Sequence, residues 1–176
     1  MCHSTFEINL FGLAYALAFF GAFRVSEVVA ASTSGQSGGL ELADLSWADD
    51  AIQVFLRKSK TDQGRNGVCV RMAATPGTGY CPVTLARIYL EARPRTAQPN
   101  LLVHADGSPL TRGQFTCICK RALEQLGEDP ARFTSHSFRI GAATTAASMG
   151  LPEATIKGVG RWKSDCFQCY VRPQLV

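Results

Sequence analysis

The sequence has few of the features that mark membrane-spanning or secreted proteins. Charged side chains make up only 18% of its 176 residues, which is slightly low for a globular domain. The only long apolar run, residues 10–23, is shorter than the ~20 residues that a helix needs to cross a bilayer. No basic segment or clear cleavage site accompanies it, as a signal peptide would require. We therefore expect a buried core helix there and no membrane partner.

The sequence also has no cysteine pattern typical of disulfide scaffolds or zinc sites. Seven cysteines are an odd number without regular spacing, which favours free thiols in a reducing compartment. The pairs Cys117/Cys119 and Cys166/Cys169 do not have zinc-ribbon or zinc-finger spacing. The only glycine-rich candidate for a nucleotide loop, residues 77–79, is a simple turn. We expect no metal and no cofactor.

The charge excess is small and does not by itself identify a partner. Lysine and arginine number 18 against 14 acidic residues, a formal net charge of +4. Such an excess permits nucleic-acid binding without requiring it. The positions of the basic residues therefore matter more than their number.

The hydrophobic pattern predicts an α+β fold, mostly helical, as a single domain with a small three-stranded antiparallel sheet. No internal repeat, low-complexity segment or long linker interrupts the chain. Pro82, Thr111, Pro152 and Ser164 are typical of helix starts, and Gly150 of a helix end. The predicted helices are 6–31, 83–93, 112–126, 136–149, 152–159 and 164–170, and the predicted strands are 40–47, 51–60 and 68–73.

The segment 134–150 contains a cationic pair at the start of an otherwise small, apolar helix. His136 and Arg139 are three residues apart, which places them on one helical face. An unpaired charge at the buried end of a helix is costly. The pair therefore requires an anionic partner, either a carboxylate of the protein or a phosphate from outside.

Three further basic motifs have ordinary structural interpretations when each is considered alone. Arg24 and Glu27 can form an intrahelical ion pair. Lys58 and Lys60, within the motif RKSKTDQGR, can belong to a solvated hairpin turn. The final motif is GRWKSDCFQCYV, residues 160–171, and a tyrosine in such an apolar segment is usually a core residue.

Taken together and in this order, the motifs resemble the catalytic domain of tyrosine recombinases, the phage-integrase family. The stretches HSFRIGAATTAA and GRWKSD resemble the recombinases of eukaryotic DIRS-type retroelements in particular. The resemblance covers nearly the whole chain, residues 1–176, as a catalytic domain without the N-terminal core-binding domain of the family. It implies site-specific cleavage and rejoining of DNA strands without metal or ATP.

The resemblance implies a role for each motif residue. Tyr170 would attack the scissile phosphate and form a 3′-phosphotyrosyl link, while Arg24 and Arg139 hold the non-bridging oxygens, for which a guanidinium is well suited. The remaining implied roles are as follows: Lys60 protonates the leaving 5′-oxygen, His136 assists proton transfer, Trp162 donates its indole N–H, Glu27 holds His136 or Arg24 in position, and Lys58, Arg161 and Lys163 contact DNA.

One spacing departs from the family pattern. Trp162 lies eight residues before Tyr170, one fewer than is typical of the family. Either the last helix starts differently, or Arg161 takes part of that role.

Other functions remain open from the sequence alone. Residues 136–159 resemble a helix-turn-helix and could form a non-catalytic DNA-binding domain. A domesticated recombinase that has lost cleavage would keep the same residues. A type IB topoisomerase uses similar ones, but HSFRIGAATTAA favours recombination. The expected partner is double-stranded DNA, with a tetramer for the full-length enzyme and a monomer for this chain. The expected location is the nucleus in a eukaryote and the cytoplasm otherwise.

Overall fold

A computed structural model describes residues 4–33, 38–57, 67–162 and 164–172. Its regular elements confirm the predicted class, helical with one small sheet. Short 3₁₀ segments at Leu42–Asp44, Pro130–Arg132 and Asp165–Tyr170 connect or follow them. The helices and strands are α1 Thr5–Phe20, α2 Val25–Val28, β1 Leu45–Ala48, β2 Ala51–Leu56, β3 Val68–Ala73, α3 Pro82–Ala92, α4 Arg112–Gln125, α5 Ser137–Ser148 and α6 Glu153–Gly160.

The three strands form an antiparallel sheet in the order β1-β2-β3. β1 and β2 form the predicted hairpin, in which Ala48 pairs with Ala51 around a turn where Asp49 has a φ of 45°. The first strand is shorter than predicted, because Leu42–Asp44 forms a 3₁₀ turn in which the Asp44 side chain accepts from the Glu41 N–H.

Helix α1 lies at the centre of the main core. Leu10, Leu13 and Leu17 have no exposed surface, and the helix packs against α3 and α5. From residue 10 onward no side chain of α1 is exposed, and the sequence there is apolar on every side, whereas Glu7 and Asn9 lie near the start of the helix. The predicted core helix is thus confirmed for residues 10–20. In the part of the chain that the structure describes, no helix has the length and apolar character needed to span a membrane.

The prediction of one continuous helix over residues 6–31 is wrong. Helix α1 ends at Phe20, Ala22 adopts a left-handed φ of 44°, and Arg24 is extended before α2 begins. The Phe23 side chain is fully buried and folds back on Gly21, where a Cβ atom would lie 2.4 Å from the ring. At this break the carbonyls of residues 21 and 22 accept hydrogen bonds from arginines that come from much later in the chain, Arg139 and Arg161.

The second half of the chain is helical and follows the sequence closely. Thr111 caps α4 as predicted, its hydroxyl accepting from the Gln114 N–H. Helices α5 and α6 begin within one residue of the predicted positions. The predicted last helix is instead the 3₁₀ segment Asp165–Tyr170. Together these last elements form a small second core centred on Ala143, Ile156 and Phe167.

Candidate active site

Arg139 lies at the centre of the candidate site and is only 1% exposed. Its guanidinium donates to the carbonyl oxygen of Ala22 and, over 2.8 Å, to that of Gly160. From the sequence we expected an anionic partner for the charge of Arg139. Among the described residues, however, no carboxylate forms an ion pair with Arg139, and the two backbone carbonyls provide the direct hydrogen bonds.

Two aromatic rings cover the same guanidinium. The Arg139 Cζ lies 4.8 Å from the centre of the Trp162 ring and 5.8 Å from that of Tyr170. The two ring centres are 5.2 Å apart. A cation beside ring faces at such distances is attracted by their electron-rich surfaces. The structure therefore places Arg139, Trp162 and Tyr170 together, although Trp162 and Tyr170 follow Arg139 by more than twenty residues.

The close approach of Trp162 depends on Gly160 at the end of α6. A Cβ at residue 160 would lie 1.7 Å from the Trp162 ring. The backbone of Tyr170 is also fixed, because the Thr144 hydroxyl donates to its carbonyl over 3.2 Å and accepts from the Arg172 N–H. Sequence patterns gave no indication of this role for Thr144.

Arg24 and Glu27 contact each other at the start of α2. The Glu27 carboxylate accepts from the Arg24 backbone N–H over 2.8 Å and from its Nη1 over 2.9 Å. This is a capping arrangement, with Glu27 in the first turn and Arg24 just before it, which stabilises a helix N-terminus. The predicted pair exists, but it caps a new helix rather than lying on the face of a continuous one. The Arg24 side chain is 25% exposed.

Arg161 occupies a different position from the one that the sequence indicated. It was expected on a DNA-contacting rim, but its side chain is only 8% exposed. Its guanidinium donates to Glu27 over 3.0 Å and to the carbonyls of Gly21 and Ala22 over 2.9 and 3.2 Å. Its Cζ lies 4.9 Å from the centre of the Phe23 ring. The left-handed φ of 56° at Arg161, just after α6, turns the side chain inward.

Of the remaining predicted site residues, one is exposed and three lie outside the described part of the chain. His136 is exposed and precedes the first residue of α5, so its ring is accessible to a ligand one turn before the buried Arg139. His136 and Arg139 therefore differ in burial although they are three residues apart. Lys58, Lys60 and Lys163 lie outside the described residues, and their predicted roles stay predictions.

The site has an excess of positive charge. Burial, together with the nearby charges of Arg24 and Arg161, lowers the pKa of Arg139 to about 10, and Glu27 acts in the opposite direction. Burial also lowers the pKa of Arg161, where Glu27 again acts in the opposite direction. Three guanidinium groups thus share one carboxylate. Such a group is stabilised by an additional anion.

Within the described ranges, no three His, Cys, Asp or Glu side chains are grouped in a way that could hold a metal ion. The cationic side chains that converge here have no use as metal ligands, but they match the chemistry of a phosphate.

Comparison with proteins of known structure gives the fold. The XerH site-specific recombinase bound to its difH substrate aligns with 98% of this chain and 45% of its own, with a TM-score of 0.72 and 15% identity. The Tn1549 transposon integrase in complex with circular intermediate DNA covers 97% of this chain and 55% of its own, with a TM-score of 0.62 and 16% identity. This chain has the fold of a tyrosine recombinase catalytic domain.

Sequence comparison gives a relative among the integrases and recombinases. An integrase/recombinase XerD homolog from Selenomonas ruminantium is 28% identical over 158 residues, 85% of this chain. No family model matches the sequence. The chain spans 42% of the length of that relative. The narrower resemblance to DIRS-type recombinases stays a prediction.

Proposed function

We propose that this chain is the catalytic domain of a tyrosine recombinase that cleaves and rejoins DNA through a 3′-phosphotyrosyl intermediate. One observation carries the proposal. A buried arginine, Arg139, lies beside the ring of Tyr170 in a cluster of three arginines that share a single carboxylate. A phosphate diester is the anion that such a cluster would bind next to a tyrosine nucleophile.

The arginines would act by neutralising charge on the phosphate. Negative charge builds up on its non-bridging oxygens as the nucleophile attacks, and donors already held in place stabilise it most effectively. Arg24 is partly exposed and can meet the phosphate directly. Arg139 is covered by the Trp162 and Tyr170 rings. A phosphate therefore reaches Arg139 only when these rings move aside.

The covalent step exchanges one phosphate ester for another. The Tyr170 oxygen forms a bond to phosphorus, the bond from phosphorus to the 5′-oxygen breaks, and the leaving oxygen takes up a proton. We assign Lys60 as the donor of that proton and His136, exposed at the start of α5, as the group that assists removal of the tyrosine proton. Because the phosphotyrosyl ester retains the bond energy, a DNA 5′-hydroxyl can reverse the step without ATP.

The relatives support DNA as the partner. The XerH and Tn1549 structures are both of complexes with DNA. By analogy, double-stranded DNA is the substrate of this chain, and the full-length enzyme assembles as a tetramer on it. Because those proteins are about twice as long as this chain, activity of the 176-residue chain alone is a separate part of the proposal.

Covalent trapping tests the proposal directly. The 176-residue chain would be incubated, with EDTA present, with nicked duplexes that cover the DNA on either side of its gene. A nick close to the scissile bond releases a short strand after attack, so the adduct accumulates. We expect a DNA-linked band on a denaturing gel that is absent for Tyr170→Phe, whereas Tyr80→Phe, a change at an exposed tyrosine, keeps it.

The possible outcomes separate the competing functions. An adduct that survives Tyr170→Phe would contradict the assignment of the nucleophile. DNA binding without any adduct would favour a non-catalytic helix-turn-helix protein or a recombinase that has lost cleavage. The same experiment with a chain extended at its N-terminus then determines whether the catalytic domain requires further DNA contacts.

A further inference from the structure

The burial of the Arg161 side chain is not explained by a role in contacting DNA. Its side chain is 8% exposed, and its guanidinium is directed into the protein toward the segment that connects α1 and α2. Its Nε is buried and has no hydrogen-bond partner in the described part of the chain. A residue selected only for stability would not bury a charge in this way, because an apolar side chain of similar size serves as well or better.

Within the described residues, the long-range hydrogen bonds of Arg161 are with the segment that contains Arg24. The guanidinium donates to the carbonyls of Gly21 and Ala22, lies over the ring of Phe23, and pairs with Glu27. These contacts join residues about 140 positions apart in sequence. Arg161 therefore fixes the end of α6 to the turn that directs Arg24.

Glu27 is shared between the two arginines in an ordered way. Its Oε1 accepts from the Arg24 side chain over 2.9 Å, while its Oε2 accepts from the Arg24 backbone over 2.8 Å and from Arg161 over 3.0 Å. Arg161 and the Arg24 backbone therefore share Oε2, while the Arg24 side chain pairs with Oε1. One carboxylate thus links the guanidinium of Arg161 to that of Arg24.

We propose that Arg161 is a positioning residue, which holds Glu27 and the turn at residues 21–23 so that Arg24 is directed at the phosphate, and that Arg161 itself does not contact DNA. This inference rests on the proposed function for its catalytic consequence. Its structural part, the placement of Arg24 by Arg161, can be measured without cleavage.

The salt dependence of DNA affinity distinguishes positioning from contact. The logarithm of affinity falls with the logarithm of salt concentration by about 0.9 for each phosphate contact on duplex DNA. In an Arg24→Met background, we expect Arg161→Met to leave this slope unchanged on a random duplex, because Arg161 acts on the phosphate only through Arg24. A further reduction of the slope by about 0.9 in the double variant would overturn the inference.

A double-mutant cycle tests the link to Arg24. If Arg161 acts through Arg24, Arg161→Met slows adduct formation by about tenfold or more, and adding it to Arg24→Met produces little further loss. Effects that multiply would mean that the two residues act independently. Arg161→Lys keeps the charge beside Glu27 and should recover part of the rate, which a general packing role would not predict.

The design separates failure of this inference from failure of the proposed function. If the wild-type chain forms no adduct, the cycle is measured on DNA affinity, where coupling between Arg24 and Arg161 supports positioning and additivity contradicts it. Circular dichroism and urea unfolding first establish that each variant folds. Should Arg161→Met fail to fold, Arg161→Lys and Glu27→Gln replace it in the same measurements.

Discussion

Arg139 and Arg161 donate hydrogen bonds to the same oxygen atom, the carbonyl of Ala22. The two arginines come from α5 and from the end of α6, and the carbonyl comes from the break after α1. Two cations that converge on one backbone carbonyl repel each other, and this repulsion adds to burial, the larger cause, in lowering the pKa of Arg139. The arrangement is costly for the free protein, and an anion bound nearby would relieve the cost.

Replacing Arg139 should separate stability from activity. Arg139→Met keeps the length of the side chain and removes a buried charge, while the Ala22 carbonyl retains its bond from Arg161. We expect the free energy of unfolding to fall by less than about 2 kcal/mol, because relief of the buried charge offsets part of the cost of leaving the Gly160 carbonyl without its donor. The phosphotyrosyl adduct should be lost.

Urea unfolding and the trapping gel measure the two effects. Arg121→Met, at an exposed position, is the matched control and should change neither. A large loss of stability in Arg139→Met, by about 3 kcal/mol or more, would show that Arg139 mainly supports the fold.

Gly160 and Gly158 make a matched pair on α6. A Cβ at residue 160 would lie 1.7 Å from the Trp162 ring, whereas one at residue 158 would meet nothing within 4 Å. Gly160→Ala should therefore displace Trp162 and destabilise the protein by about 1–3 kcal/mol. Gly158→Ala should stabilise it by about 0.5–1 kcal/mol, because glycine is unfavourable inside a helix. In a Trp47→Phe background, the fluorescence of Trp162 reports its displacement; an unchanged spectrum in Gly160→Ala would contradict the packing.

Alanine substitutions at Gly38 and Gly39 test how closely this part of the chain packs against the backbone of Val29 and Ala30, which follow α2. Both have positive φ, 74° and 81°, so alanine strains either one by about 1 kcal/mol. Only at Gly39 would the new Cβ also meet backbone, 2.7 Å from the carbonyl carbon of Val29. We expect Gly39→Ala to lower the free energy of unfolding clearly more than Gly38→Ala. Equal losses in urea unfolding would mean that the backbone there shifts freely.

Cys81 should make stability depend on pH in the neutral range. Burial raises the pKa of its thiol, but hydrogen bonds from Thr84, Thr75 and Val83 outweigh this and hold the pKa at about 7, below the ordinary value of 9.0. A folded pKa below the unfolded one favours the folded state at high pH. The resulting stabilisation is complete above pH 9 and is lost as the pH falls through 7, by about 2–3 kcal/mol in all.

The measurement is urea unfolding between pH 6.5 and 9 under reducing conditions. Cys81→Ser retains a hydrogen-bonding group that does not titrate, so its stability should rise less with pH than that of the wild type. Cys117→Ser, at an exposed cysteine, should follow the wild-type curve. If the free energy of unfolding changed with pH in the same way for all three proteins, the lowered pKa of Cys81 would be contradicted.

The sequence predicted elements that depend on local signals and missed those set by distant contacts. The Thr111 cap, the hairpin and β3 follow from residues within a few positions of one another, and all three are confirmed. No proline in the sequence indicates the break at Gly21 and Ala22. It depends on the burial of Phe23 and on Arg161, which contacts Gly21 across 140 positions.

The candidate site shows the same division. The order of motifs identified Arg24, Glu27, Arg139, Trp162 and Tyr170, and the structure brings them together, while their catalytic roles stay predictions. The resemblance to tyrosine recombinases assigned Arg161 to the residues that contact DNA, whereas the structure buries its side chain. Its left-handed φ of 56°, which non-glycine residues rarely adopt, is the feature that no sequence pattern revealed.

The small second core has a consequence for how the proposed cleavage would respond to heat. Ala143, Ile156 and Phe167 form a cluster separate from the main one, with Trp162 and Tyr170 packed against it. Units of this size can open while the rest of a protein stays folded. Helices α5 and α6 would then exchange their amide hydrogens together and sooner than α1. The proposed cleavage would then be lost on heating at a temperature where most of the helical signal persists, and it would report on α5, α6 and the segment Asp165–Tyr170 rather than on the whole fold.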